Sequence, residues 1–227
     1  MINCNCEGCE LKSLFFENAS TLEIESICQR KIEISFRKGE VIIHEGEPIS
    51  TFVYLKSGLV KLYRQADQKG EQIICFARPL DFVSLLSVFS SKQYNYSVAA
   101  LEDSVTCNIS LKEIIEMATN NGKFALSIVE KVNRASDKII IDFLKLKQKR
   151  LYGRIAYILL FFAREIYHNN SFNLPISRKE IAEYISMTVE NVIRTLSELR
   201  KDGIIKISGP GIEIIDESRL ERIAELS

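Results

Sequence analysis

The sequence predicts an α+β fold in which an N-terminal antiparallel β-roll, a long helix and a smaller, mainly helical domain follow one another. Three observations support this prediction. Between about residues 31 and 109, short runs of β-branched and aromatic residues are separated by glycines. From residue 124 to residue 149, apolar residues recur every three or four positions without Gly or Pro. Beyond residue 153, three shorter helical patterns precede a pair of β-rich runs.

Length and composition fit a soluble protein of two domains. The chain has 227 residues, of which 46% are hydrophobic and 26% are charged. Because 30 basic residues balance 30 acidic ones, any anionic partner must be met by a local basic surface. No apolar run approaches the roughly 20 residues that a membrane span needs. The N-terminus also lacks the pattern of a signal peptide, so we expect a cytoplasmic protein without a membrane partner.

The first domain is predicted over residues 1–122, as a β-roll sensor domain that begins with a Cys-rich segment. Residues 11–35 carry apolar side chains at helical spacing and predict short helices ahead of the roll. A closed or double-sheet roll has an interior that can hold one small ligand. The predicted strands are residues 41–43, 52–55, 59–63, 72–76, 96–100 and 105–109.

A long helix is predicted over residues 123–150. Its apolar seam is longer than one face of a small roll needs, which favours a dimerisation helix. The alternative is a helix that packs on its own β-roll. Asp142 does not fit the seam. The seam consists of Ile128, Val132, Ala135, Ile139, Phe143 and Leu146.

The second domain is predicted over residues 151–227. Ser177 can cap a helix, and Glu180 completes a capping box three residues later. A turn at residues 186–188 leads to a second helix over residues 189–200. Two β-rich runs joined by a Ser-Gly-Pro-Gly turn then predict a hairpin. Two helices, a short turn and a hairpin make a winged helix-turn-helix.

The outward face of the second helix carries Glu190 and Arg194. An arginine can donate two hydrogen bonds to guanine, and a glutamate can accept one from cytosine. The alternative is an ordinary solvated ion pair four residues apart. Because this pair lies on the second helix of a predicted winged helix-turn-helix, we favour base readout, with double-stranded DNA as the partner. The other residues predicted at this interface are Ser177, Arg178, Thr188, Asn191 and Ile193.

The segment from Ile176 to Leu196 resembles the DNA-reading signature of the Crp/Fnr family of bacterial regulators. The resemblance implies a cyclic-nucleotide-binding-like β-roll, a dimerisation helix and a winged helix-turn-helix. It also implies a homodimer on palindromic DNA, with RNA polymerase as a further partner. Further motifs that resemble the family are Lys38-Gly39-Glu40, Gly46-Glu47, Lys56-Ser57-Gly58 and Gly153-Arg154-Ile155-Ala156.

Two positions of the reading helix bear on its specificity. The resemblance places the family's Glu and Arg at Glu190 and Arg194. Val189 precedes the Glu, as in the Fnr branch, where other members have Arg. Ile193 stands where that branch has Ser, which leaves the outer bases of the half-site open.

The resemblance also implies where cyclic AMP would bind. Family members that bind it use a Gly-Glu pair and an Arg-Ser pair. This chain has Ser84-Leu85 at the first pair and Asn95-Tyr96 near the second. A phosphate buried in the roll needs a cation, yet no arginine lies between Arg78 and Arg134. We therefore expect that cyclic AMP is not the ligand.

The cysteines suggest a different cofactor. Members of the Fnr branch hold an oxygen-labile iron–sulfur cluster with N-terminal cysteines and one from the end of the roll, so the resemblance implies a site at Cys4, Cys6, Cys9 and Cys107. Such clusters need four thiolate ligands. The C-x-C-x-x-C spacing is tighter than in that branch. Zinc is one alternative. Reduced thiols on the N-terminal tail, with Cys107 packed as a small hydrophobe, are the other.

Enzymatic functions are not indicated. The two histidines lie in different predicted domains, and the sequence has no P-loop, GxGxxG, GxSxG or HExxH motif. Two classes remain. The first is a DNA-binding regulator gated by an unidentified signal in the roll. The second is a ligand-binding β-roll whose helical domain contacts proteins. The Glu190 and Arg194 pair favours the first.

Overall fold

The computed structural model describes residues 18–66, 70–79, 81, 83–84 and 86–226, except the side chains of Leu22 and Leu226. It contains two compact units. Met1–Gln65 and Ile74–Lys138 form the first, and Ala66–Ile73 and Ile139–Ser227 form the second. Among the described residues, no helix has the length and apolar character that crossing a membrane requires.

The N-terminal half is a double-sheet β-roll, as the sequence predicts. One sheet has three strands in the order β1-β7-β3, and the other has four in the order β2-β6-β4-β5. The strand β7 runs antiparallel to both of its neighbours. The strands are β1 (Ile32–Phe36), β2 (Val41–Ile43), β3 (Thr51–Ser57), β4 (Val60–Ala66), β5 (Gly70–Ala77), β6 (Ser97–Ala100) and β7 (Ser104–Ser110).

The strand β1 corrects the predicted helix over residues 11–35. The helix α1 (Thr21–Arg30) begins with a Ser20 capping box and ends before Lys31. The next five residues, Ile-Glu-Ile-Ser-Phe, alternate apolar and polar side chains, which suits a strand because successive side chains point to opposite faces. The helix prediction is therefore wrong from residue 31 onward. Residues 11–17 lie outside the described part of the chain.

Alternation along β3 separates two apolar clusters. Phe52 and Tyr54 face the cluster that also contains residues of α1 and of the following helices. Val53 and Leu55 face the roll interior, together with Val98 and other residues of the opposite sheet. The sheet that contains β3 is therefore covered by helices on one face and by the second sheet on the other.

Two helices follow the roll, α2 (Leu111–Asn120) and the long helix α3 (Gly122–Gln148). Part of the predicted seam packs against the chain's own core. Ile128 is only 4% exposed and lies in the helix-covered core cluster, where Val132 and Ala135 pack against it. Residues at three- and four-residue spacing on α3 therefore serve the chain's own core over this stretch.

The remaining predicted seam residues differ among themselves. Phe143 is exposed, Ile139 is half-buried and Leu146 is only 7% exposed. Six large apolar side chains on α3, of which only Phe143 belongs to the predicted seam, are between 49% and 60% exposed. We call this set the outer face of α3: Leu126, Val129, Ile140, Ile141, Phe143 and Leu144.

The C-terminal part contains the predicted helix pair and hairpin. An additional strand that the sequence did not predict, β8 (Ser171–Asn173), pairs antiparallel with β10 (Gly211–Ile214). The sheet order is β8-β10-β9. The elements are α4 (Leu151–Phe161), a π-helical turn (Phe162–Ile166), β8 (Ser171–Asn173), α5 (Arg178–Ile185), α6 (Val189–Lys201), β9 (Ile205–Ser208), β10 (Gly211–Ile214) and α7 (Glu217–Leu226).

Candidate nucleic-acid interface

The helix α5 begins with the predicted capping box. The backbone N–H of Glu180 donates to Ser177 Oγ at 3.1 Å, and the Ser177 N–H donates to Glu180 Oε2 at 2.8 Å. These bonds satisfy donors that a helix start leaves without partners. Arg178 follows the cap and is half-buried, and burial lowers the pKa of its guanidinium. An arginine remains charged at neutral pH despite such a shift.

The turn between α5 and α6 takes three residues. Ser186 adopts a left-handed conformation with φ of 55°, and its N–H donates to Ala182 O. The Met187 N–H donates to the same carbonyl oxygen at 2.9 Å. Thr188 then caps α6, because its Oγ1 accepts the N–H of Asn191 at 3.3 Å. The tight turn fixes the start of the second helix against the first.

The helix α6 has a buried face and an exposed one. Val192, Leu196 and Leu199 are buried, as the sequence predicts. Glu190, Ile193, Arg194 and Ser197 are exposed, and Asn191 is half-buried. The exposed face therefore presents one carboxylate, one guanidinium and one apolar side chain within about one helical turn.

Arg194 hydrogen-bonds to a neighbour on its own helix. Its Nη2 donates to Asn191 Oδ1 at 3.0 Å, whereas the alternative considered from the sequence was an ion pair with Glu190. The carboxylate of Glu190 accepts hydrogen bonds from its own backbone N–H and from the Thr188 hydroxyl, which hold its pKa below the ordinary value. The Glu190 carboxylate and the Arg194 guanidinium are thus each oriented by hydrogen bonds to nearby groups.

Arg154 on α4 hydrogen-bonds to the end of α5, a role that the sequence did not predict. Its Nε donates to Lys149 O and its Nη1 to Ile185 O, both at 2.8 Å. The second bond satisfies a carbonyl group at the end of α5. The only sequence signal for this role is the Gly153-Arg154 motif.

Asp142, which does not fit the predicted seam, has a partner on α4. The Tyr157 hydroxyl donates to Asp142 Oδ1 at 2.8 Å. Burial is the main cause of the raised pKa of Tyr157, and the hydrogen bond to Asp142 adds to it. Lys149 Nζ lies 5.8 Å from the Tyr157 ring centroid and donates to Ala224 O near the end of α7. These contacts join α3, α4 and α7.

Two hydroxyl groups inside the roll hydrogen-bond to the backbone. Ser84 is buried, and its Oγ accepts the Val53 N–H at 2.9 Å. The Tyr96 hydroxyl donates to Val83 O at 2.9 Å, and Tyr96 belongs to the apolar cluster inside the roll. Leu85, the other residue at the Gly-Glu positions, lies outside the described residues.

Of the four cysteines in the implied site, the structure describes only Cys107. Cys107 on β7 is fully buried in the same cluster as Ile27 of α1. Cys4, Cys6 and Cys9 lie outside the described residues. Within residues 18–226, as far as the structure describes them, no group of three His, Cys, Asp or Glu side chains could hold a metal ion.

Comparison with known proteins gives two family matches. Residues 33–121 match a cyclic nucleotide-binding domain, and residues 153–223 match a Crp-like helix-turn-helix domain. Electron transport regulator A of Shewanella oneidensis is 28% identical over 97% of this chain and 90% of its own length. The anaerobic regulatory protein of Pasteurella multocida is 26% identical over 93% of this chain and 80% of its own length. The structure of FixK2 from Bradyrhizobium japonicum is 27% identical with a TM-score of 0.75, and the match covers 85% of this chain and 96% of that one.

Proposed function

The chain belongs to the Crp/Fnr family of transcription regulators, and from this premise we propose that it acts as a homodimer on palindromic DNA and responds to a redox signal. The family is one of regulators rather than enzymes. The observation that carries the DNA proposal is the exposed pair of Glu190 and Arg194 on a helix whose opposite face is buried.

Base readout follows from the geometry of this pair. In a helix-turn-helix the second helix lies in the major groove, and its early residues reach base edges. Glu190 is at the second position of α6 and Arg194 at the sixth. The bond from Arg194 to Asn191 leaves further guanidinium donors for a guanine. Glu190 can accept from the cytosine of the same or a neighbouring base pair.

The dimer proposal is supported by the outer face of α3. Leu126 and Val129, and further along Ile140 and Phe143, are large exposed apolar residues. Their positions follow the alternating three- and four-residue spacing of a coiled coil, with Asn133 and Ser136 at the intervening positions. Polar residues at such positions fix the register of paired helices. A second copy of the same helix would bury this face.

Selection of DNA from a random library tests both parts. We expect enrichment of a two-fold symmetric sequence whose half-sites are roughly 34 Å apart, because two recognition helices meet successive turns of the duplex. Sedimentation of the free protein should give a dimer. Absence of any enriched sequence would favour the second class, in which the helical domain contacts proteins instead.

For the redox signal we propose an iron–sulfur cluster held by Cys4, Cys6, Cys9 and Cys107. The number and type of donors fit, because such clusters bind four thiolates. Cys107 lies in a cluster shared with α1, the helix that follows the N-terminal segment. Relatives named for electron transport and for anaerobic regulation also favour redox sensing.

Within this proposal the chain supplies ligands and shielding. The four cysteine side chains would hold the cluster, and the cluster would supply sensitivity to oxygen. The apolar residues around Cys107 would limit the access of water to its sulfur. Cyclic AMP is not proposed, because Ser84 and Tyr96 use their hydroxyls in bonds to the backbone.

Purification without oxygen tests the cluster. We expect brown protein with stoichiometric iron and sulfide, both lost in Cys107→Ser. The matched control is Cys75→Ser, because Cys75 is half-buried against the roll-interior cluster and is not among the proposed ligands. Colourless, metal-free protein that still binds DNA would contradict this proposal. Colourless protein with bound zinc would identify a zinc site instead.

A further inference from the structure

Ile193 is an unusual residue on the exposed face of α6. It is 51% exposed, whereas Val192, Leu196 and Leu199 are buried. An exposed isoleucine is common by itself on a protein surface. This one, however, lies on the face that carries the two proposed base-reading side chains.

The exposed neighbours of Ile193 are polar. On a helix its nearest neighbours are the residues three and four positions away: Val189, Glu190, Leu196 and Ser197. Leu196 is buried and Val189 is half-buried, whereas Glu190, Ser197 and the next residue, Arg194, are exposed. Among the residues that the structure describes, Ile193 is therefore the one large apolar side chain of α6 that is exposed, and it does not belong to a larger exposed apolar patch on this helix.

The major groove offers one apolar group at its base edges, the 5-methyl group of thymine. The other edges present hydrogen-bond donors and acceptors, which an isoleucine cannot satisfy and would shield from water. A β-branched side chain in a helix also has one strongly preferred χ1 rotamer. Ile193 therefore presents its methyl groups in a fixed direction with little entropy left to lose.

We propose that Ile193 contacts the 5-methyl group of a thymine in each half-site, next to the G·C pair contacted by Glu190 and Arg194. This inference rests on the proposed DNA-binding function and adds one base pair to the sequence that the protein recognises. The half-site then contains an A·T pair whose thymine is selected by its methyl group. Burial of one methyl group corresponds to about a four-fold gain in affinity.

The experiment uses the palindromic duplex that the full-length protein selects from a random library. Each thymine is replaced in turn, in both half-sites, by deoxyuridine, which lacks only the 5-methyl group. Affinity is measured by fluorescence anisotropy at one fixed salt concentration, since phosphate contacts make affinity depend on salt. We expect about a four-fold loss per half-site at one thymine beside the guanine.

Variants assign that loss to the side chain. Ile193→Ala should bind thymine and deoxyuridine duplexes equally, whereas Ile193→Val should retain part of the difference. The control is Ile215→Ala, which removes an isoleucine that is 56% exposed in the same unit but lies outside α6. It should leave the difference unchanged.

Three results would overturn the inference. The first is that no thymine beside the guanine responds to loss of its methyl group, and the second is that Ile193→Ala keeps the full response. In either case a retained dependence on guanine would leave the DNA-binding function intact. A library without any enriched sequence would overturn both the inference and the proposed function.

Discussion

The two helices α3 and α6 expose opposite kinds of surface. The helix α6 buries its apolar side chains and exposes mainly charged and polar ones. The helix α3 buries Ile128 but leaves six large apolar side chains exposed along its outer face. Contiguous exposed apolar surface marks a protein interaction site, whereas an exposed polar face is compatible with water or with DNA. One chain thus presents one helix suited to a protein partner and one suited to nucleic acid.

This difference means that substitutions on α3 can alter either folding or association, according to the face. On α6 they can alter either folding or DNA recognition. Measuring unfolding, self-association and DNA binding separately therefore distinguishes the two faces of each helix.

The largest expected effect is on the buried face of α3. Ile128→Ala removes a side chain packed in the helix-covered core and should lower the free energy of unfolding by about 2–5 kcal/mol. Urea unfolding measured at several protein concentrations checks this value. The matched control is Ile140→Ala, because Ile140 is 55% exposed.

Ile140→Ala should weaken self-association, and its effect on unfolding should grow with protein concentration, since a folded dimer is stabilised by mass action. If Ile128→Ala and Ile140→Ala lower the free energy of unfolding by the same amount at every protein concentration, the outer face of α3 is not an interface.

The exposed face of α6 should behave in the opposite way. Arg194→Ala should weaken binding to the selected duplex by about 1–3 kcal/mol and relax selection at one guanine. Its free energy of unfolding should change by less than about 0.5 kcal/mol, because the side chain is exposed. The control is Arg222→Ala, which removes an exposed arginine of α7. Unaltered base preference in Arg194→Ala would contradict its assignment as a base reader.

The same comparison explains which parts of the site the sequence predicts. On α6 the two faces differ in polarity, so the pattern alone places Val192 inside and Arg194 outside. On α3 both faces carry large aliphatic residues, and periodicity cannot tell which one meets the chain's own sheet. The predicted seam therefore includes Ile128, which packs in the core, and omits Ile140, which is exposed.

Short and non-local features also escape sequence reasoning. The strand β8 has three residues, too few to show a period, and depends on its pairing with β10. The place of Asp142 depends on Tyr157, fifteen residues away and on another helix. By contrast, the Ser177 capping box is local, and the sequence predicts both of its residues.

The starts of the two helices should matter about equally for stability. Asn121 Oδ1 accepts the Phe124 N–H at 3.1 Å near the start of α3, and Thr188 Oγ1 accepts the Asn191 N–H at 3.3 Å on α6. Asn121→Ala and Thr188→Ala should each lower the free energy of unfolding by about 1 kcal/mol. Only Thr188→Ala should also weaken DNA binding, because it frees the first turn of the recognition helix. If Asn121→Ala and Thr188→Ala weaken DNA binding equally, the cap of α6 has no special role in DNA recognition.

The smallest effect expected near neutral pH concerns Glu190. Its own N–H and the Thr188 hydroxyl hold the pKa of its carboxyl group below the ordinary value. A lowered pKa means that its contribution to stability is present above the unfolded-state pKa and is lost as the pH falls through the folded-state pKa. Selection of cytosine needs the same ionised carboxylate, so it should stay constant from about pH 8 to pH 6.

Binding of cytosine-substituted duplexes, measured across this range, checks the prediction, and Glu190→Gln serves as the variant that cannot ionise. A decline in cytosine selection between pH 8 and pH 6 would mean that another group controls this contact. At lower pH the two helices should differ again. Protonation neutralises the Glu190 carboxylate on α6, whereas the aliphatic and aromatic side chains on the outer face of α3 carry no group that titrates.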